Sequence, residues 1–186
     1  MNPGATLDTF PTVPEACPPG EDKRYEFVDG EWVERKMGIK SSRIGVILAR
    51  HLDVYAEAQK AGFVIGSDGG YKIFPHAPKL VRYPDVSFIR RGRLPNDELP
   101  DGHMLIPPDL AVEVVSPNDL AEEIERRVQD YLGAKVSLIW VIYPKSRCVR
   151  VLHLDGSARQ LNETEELQGE TILPEFSLRV ERLFQS

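Results

Sequence analysis

The chain has 186 residues, 29 of them acidic and 23 basic, for a net charge of −6. That length suits one domain able to bury a core without staples, and the acidic balance argues against nucleic-acid binding through bulk charge. No apolar run approaches the ~20 residues of a membrane helix, and the N-terminus lacks a signal-peptide core. Two cysteines, Cys17 and Cys148, and four scattered histidines form neither a disulfide framework nor a zinc set. A cytoplasmic protein with no membrane contact is expected.

Residues 1–22 hold five of the fifteen prolines and no periodic pattern, and read as a flexible arm before a domain over 23–186. Tyr25–Val28 and Glu31–Glu34 flank Asp29-Gly30, which predicts a hairpin. Ser41 or Ser42 is expected to cap a helix with the apolar stripe Ile44, Ile47, Leu48, Leu52, Tyr55. Phe63–Ser67 and Tyr71–Phe74 read as strands around Asp68-Gly69-Gly70, a turn that lacks the GK[ST] of a phosphate-binding loop.

A strand then begins after Pro84, where Asp85-Val86-Ser87-Phe88 places Asp85 and Ser87 on one face. Residues 90–108 form a polar connection rich in Gly and Pro. Asp109–Ser116 is a continuous apolar strand, and Glu113 inside it shares a face with Ala111 and Val115. A carboxylate there costs several kcal/mol or more unless a cation, metal or set of donors meets it. Pro117 ends this strand, and Asn118 or Asp119 is expected to cap a helix to about Ala134. Val136–Tyr143 is another central strand, Arg147–Leu154 and Ala158–Leu161 an outer hairpin, and Pro174–Phe184 a closing segment. A strand–helix–strand unit in a chain otherwise linked by hairpins implies a mixed α/β sheet.

On the second helix Leu120, Ile124, Val128, Tyr131 and Leu132 cluster at 100° per residue. Arg127 lies at the edge of that face, within reach of Glu113, but also one turn after Glu123, a favourable spacing for a surface ion pair. Charge along the chain is uneven. Residues 35–52 carry five basic side chains and no acid, and residues 69–93 carry six against Asp85 alone. One reading is an unevenly charged solvated surface. The other is a phosphate-binding face around Asp85, to which Arg43, Lys72, Arg82, Arg90 and Arg91 would contribute.

Pro84-Asp85, then Glu113-Val114-Val115-Ser116-Pro117, a helix carrying Tyr131 and the tryptophan-containing strand Leu138–Tyr143 together resemble the Uma2 family of restriction-endonuclease-like proteins. That family belongs to the PD-(D/E)XK nuclease superfamily. The segment YEFVDGEWVE and the helix after Ser41 are similar to its N-terminal region, so the resemblance spans roughly Tyr25 to Phe184. It implies an α/β fold, a restriction-endonuclease-like mixed sheet flanked by helices with an N-terminal hairpin. It also implies a Mg²⁺- or Mn²⁺-dependent endonuclease that hydrolyses DNA, in homodimeric form in some readings. By carry-over, Asp85 and Glu113 would be metal ligands, with the Val114 backbone carbonyl as another oxygen.

The chain departs from the family's pattern in two places. Val115 stands at the usual E-x-K lysine position and Arg127 at the helix position expected to hold lysine, while Ser41 stands where the family often has histidine. Arginine keeps its proton, so the resemblance leaves Arg127 two roles: stabilising transition-state charge, or neutralising Glu113 in place of a metal. Glu31 is a further acidic candidate. A nucleic-acid-binding module with weakened catalysis and a protein-interaction domain are the alternative functions.

Overall fold

The computed structural model describes residues 24–28, 31–35 and 38–185. The proposed arm over 1–22, the Asp29-Gly30 turn and the side chain of Glu31 lie outside the described residues. Strand β1 (Arg24–Val28) pairs antiparallel with β2 (Glu31–Arg35), Val28 opposite Glu31.

Helix α1 (Ile39–Gln59) starts earlier than the serines suggest. Gly38, in extended conformation, holds the cap position without a side-chain bond. Ser41 is buried in the first turn instead, because its hydroxyl serves the neighbouring sheet: Oγ donates to the Val115 carbonyl at 3.3 Å and lies 3.2 Å from Ser116 Oγ. Ile44, Leu48, Leu52 and Ala56, one turn apart, form the buried face. The helix stops at Lys60, whose left-handed backbone (φ 51°) returns its N–H to the Ala56 and Glu57 carbonyls.

After α1 come β3 (Gly62–Gly66), β4 (Val86–Arg90), β5 (Leu110–Val114), helix α2 (Ala121–Gly133), β6 (Leu138–Tyr143), β7 (Cys148–His153) and β8 (Ala158–Leu161). These six strands form one sheet in the order β3-β4-β5-β6-β7-β8. Only β5 and β6 run parallel; the other neighbours are antiparallel. The parallel pair is the one joined through a helix, since a tight turn cannot return a chain to the same direction. Tyr71–Phe74 does not form the expected strand. Tyr71 makes single bridges to Arg82 and Met104, and the prolines at 75 and 78 cannot donate to a ladder. A second antiparallel pair, β9 (Glu166–Gly169) with β10 (Leu173–Arg179), was not visible in the sequence pattern.

The sheet is covered on both faces. On one, Val86, Phe88, Leu110, Val112, Val114, Leu138, Trp140 and Ile142 meet α1 and the β9–β10 pair, with Trp140 stacked on Phe176 at 6.1 Å. On the other, Ala111, Ile139 and Val141 meet Ile124, Val128 and Tyr131 of α2. Leu120, placed on this stripe by periodicity, precedes the first helical turn and is 59% exposed.

One buried ion pair ties the β3–β4 connection to α2. Arg82 is 3% exposed and donates to Asp130 Oδ2 from Nε at 2.9 Å and Nη2 at 2.6 Å; His76 Nε2 lies 3.1 Å from Asp130 Oδ1. Arg82→Ala leaves the Asp130 carboxylate buried without its guanidinium. The expected loss is about 3–5 kcal/mol, measured by urea unfolding; a loss under ~1 kcal/mol contradicts this role.

Candidate active site

Four element ends meet at one edge of the sheet: the start of α1, the end of β3, the start of β4 and the end of β5. Between them lies an open cavity of about 450 Å³, lined by Ser41, Ser42 and Gly45 of α1, by Gly66–Gly69, and by Asp85. Why Asp85 faces this cavity follows from a local irregularity. Val86 is the residue paired with Val112, yet the Asp85 N–H also donates to the Val112 carbonyl, at 2.9 Å. Two residues thus oppose one, a bulge that breaks the alternation of side chains. The expected sharing of one face by Asp85 and Ser87 fails for that reason. Ser87 Oγ bonds Tyr71 OH at 2.7 Å, whereas Asp85 Cβ stands 4.0 Å from where a Cβ on Gly45 would be.

Asp85 Oδ2 accepts the Val114 N–H at 2.7 Å. Two residues on is Ser116, which begins the turn that leads to α2. Asp119 closes that turn rather than capping α2: its Oδ2 accepts the Ser116 N–H at 2.6 Å. The C-terminal end of β5 is therefore held by two carboxylates through backbone N–H groups. It is also held by Ser41, which bonds the Val115 carbonyl; the residue next in register on the neighbouring strand is Pro144, which has no N–H to offer.

Glu113 points to the α2 side and is 2% exposed. Arg127 Nη1 donates to its Oε2 at 2.9 Å, and Tyr131 OH donates to its Oε1 at 2.7 Å. Arg127 reaches Glu113 as its position on the helix suggests. Tyr131 follows Arg127 by four residues, one helical turn, and that spacing was the signal for its role; periodicity alone marked it as core. A buried carboxylate with a cation on one oxygen and a hydroxyl on the other meets the solvation requirement that the sequence raised.

These residues define what a metal would meet. Asp85 takes the Val114 N–H from the cavity side, where Ser41 and Ser42 also line the wall, while Glu113 turns its carboxylate to Arg127 and Tyr131 of α2 and does not line that cavity. Hard cations such as Mg²⁺ take one or two carboxylates and fill the remaining positions with water and phosphate oxygens. The hydrogen bonds to Glu113 use one lone pair on each oxygen, and each oxygen has two. In residue type and spare lone pairs these groups suit that chemistry. They do not fit a closed protein cage, because among the described residues no group of three or more His, Cys, Asp or Glu could hold an ion.

The basic residues divide. Arg43 and Lys72 are exposed. Arg82 is not at the surface, so its expected phosphate contact is replaced by the buried pair with Asp130. Arg90 Nε donates to Asp109 Oδ1 at 2.8 Å, and Arg91 lies over the Phe63 ring at 5.6 Å with Nε on the Lys60 carbonyl. Both sit at the far end of β4 from Asp85, about 16 Å away at ~3.3 Å per residue. They do not converge with the carboxylates.

Burial raises the Asp119 carboxyl above the usual range; Glu113 and Glu123 push it the same way, and the Ser116 N–H and Arg127 oppose them. A folded-state value above the unfolded one means the native chain binds the extra proton, so stability falls as pH rises through that window. Asp119→Asn is expected to flatten this acid-range slope in urea-unfolding midpoints measured across pH. An unchanged slope contradicts the effect of Asp119's partial burial on its carboxyl.

Comparison with known proteins agrees with this architecture. A solved structure described as "a putative nuclease belonging to DUF820", from Anabaena variabilis ATCC 29413, superposes with a TM-score of 0.77 at 19% identity, covering 89% of this chain and 92% of that one. A search of curated proteins found no match. The Uma2 family model, described as "Putative restriction endonuclease", matches residues 8–181. The chain belongs to the Uma2 family.

Proposed function

We propose that this protein is a divalent-metal-dependent DNA endonuclease whose machinery is Asp85, Glu113 and Arg127. The observation that carries the reading is the convergence of Asp85 and the Glu113–Val114 peptide beside an open cavity, with a fixed cation on Glu113. Asp85, Glu113 and the Val114 carbonyl would hold Mg²⁺ or Mn²⁺. Such an ion lowers the pKa of bound water and offsets charge on a scissile phosphate.

The remaining work falls to the chain's own groups. Tyr131 holds one Glu113 oxygen and so fixes the carboxylate's rotamer. Arg127 cannot take a proton from water, and its role is electrostatic: it balances Glu113 and favours negative charge developing nearby. The first turn of α1 lines the cavity, and its positive end favours a phosphate. Arg43 and Lys72 are the exposed cations suited to backbone contacts.

A second reading is a DNA-binding module without hydrolysis. The Arg127–Glu113 contact itself favours it, because that carboxylate is already neutralised. Cleavage separates the two. Mg²⁺-dependent nicking of plasmid DNA is expected from the parent and none from Asp85→Ala. Arg127→Ala should lower the rate about 10²–10³-fold, with Arg127→Lys as the charge-preserving control for folding. Undiminished cleavage by both Asp85→Ala and Arg127→Ala contradicts this site.

A further inference from the structure

The α1 face turned away from the carboxylates borders a second cavity, of about 370 Å³, lined by Ile39, Lys40, Arg43, Ile44, Ile47, Pro144, Arg147, Leu183, Phe184 and Gln185. Three cations and no carboxylate line it. Among the described residues neither Lys40 nor Arg43 has an ion-pair partner, and both are exposed. Arg147 is held in place from outside, by an ion pair with Glu163, and its guanidinium lies 5.0 Å from the centre of the Phe184 ring. Apart from Gln185 the rest of the wall is apolar, and Ile39 at its edge is 91% exposed.

A phosphate alone has no use for such a wall, and a duplex backbone presents only phosphates and sugars. An unpaired nucleotide presents both parts: a phosphate for Lys40 and Arg43, and a base for the apolar wall and the flat Arg147 guanidinium. The separation from the carboxylate site is right for one continuous strand. The two cavities lie on either side of α1, about 10–12 Å across with its side chains, which roughly three stacked nucleotides span at ~3.4 Å each.

We infer that the Lys40–Arg43–Arg147 cavity binds a single-stranded flank of the nucleic-acid substrate, a few nucleotides from the scissile phosphate. The inference deepens the proposed function and rests on its assumption that the substrate is nucleic acid. Binding draws on both kinds of contact. The cations supply affinity that falls with salt, and the apolar wall supplies a preference for unpaired bases that does not.

The test is fluorescence anisotropy in EDTA, so that no cleavage intervenes, with a labelled dT₁₂ oligonucleotide and a blunt duplex of the same length. Lys40 and Arg43 are exposed, and the Lys40→Glu/Arg43→Glu variant is checked for an unchanged melting temperature. It is expected to weaken oligo-dT binding at least ~10-fold, with a salt slope smaller by about 1.4, two contacts at ~0.7 each. Ile39→Ser is expected to weaken oligo-dT binding a few-fold and leave both the salt slope and duplex binding unaltered. Unchanged oligo-dT affinity in the double variant overturns the inference and removes Arg43 from the backbone contacts, while the Asp85–Glu113–Arg127 machinery is tested separately by the cleavage assay. Equal losses for duplex and single strand overturn it as well, because they describe a general phosphate surface. If the parent binds neither nucleic acid, the nucleic-acid reading itself falls, and this inference with it.

Discussion

A carboxylate in the middle of a sheet constrains what surrounds it. Glu113 sits in β5 between Val112 and Val114, at 2% exposure, where an unpaired charge would be intolerable. Its two partners, Arg127 and Tyr131, both come from α2 and both lie on one helical turn. The rotational setting of α2 about its axis is therefore fixed by polar contacts as well as by Ile124 and Val128 in the apolar layer. That setting carries the parallel crossover from β5 to β6 with it. The turn between β5 and α2 is closed by Asp119 on the Ser116 N–H, and the β3–β4 connection is anchored to the same helix by Arg82 and Asp130. The proposed site residue and a residue that sets the fold are here the same residue.

Much of this arrangement was legible in the sequence. An acid in the run LAVEVV signals a buried carboxylate with a partner, and the 100° spacing put Arg127 within reach of it. The strand–helix–strand unit, the outer hairpin of β7 and β8 and the α1 stripe follow from periodicity of apolar residues. What stayed hidden is informative in physical terms. The face of Asp85 is set by a bulge, which depends on how two strands pair and leaves no mark in alternation. The serines point to a later start for α1 than the structure has, because serine is both a good cap and a good buried hydroxyl, and only the neighbouring Val115 carbonyl decides between them. Pairing of β9 with β10 is local, but its register shifts between Leu173 and Ser177, and such an irregularity interrupts the alternation by which a strand is read.

Basic residues show the same limit from another direction. Five were candidates for phosphate contacts on account of segment charge. Arg82 is consumed by Asp130, and Arg90 by Asp109, both acids distant in sequence. Charge runs report how many cations a segment has; they do not report which acids the fold brings beside them. Among the cations the segments contain, the exposed ones that line a cavity, Lys40 and Arg43, are a minority. An acidic protein can in this way hold a small local surface suited to phosphate, with much of its positive charge used internally.

The account stands on Asp85 and Glu113 acting together although Asp85 faces the cavity and Glu113 faces α2. The most direct measurement is a crystal structure of the protein grown with Mn²⁺, with anomalous scattering used to locate the ion. The account predicts a peak within coordination distance of an oxygen from Asp85 and one from Glu113, the remaining positions filled by water. Density on Asp85 alone, or none while Arg127 keeps its contact with Glu113, would contradict it.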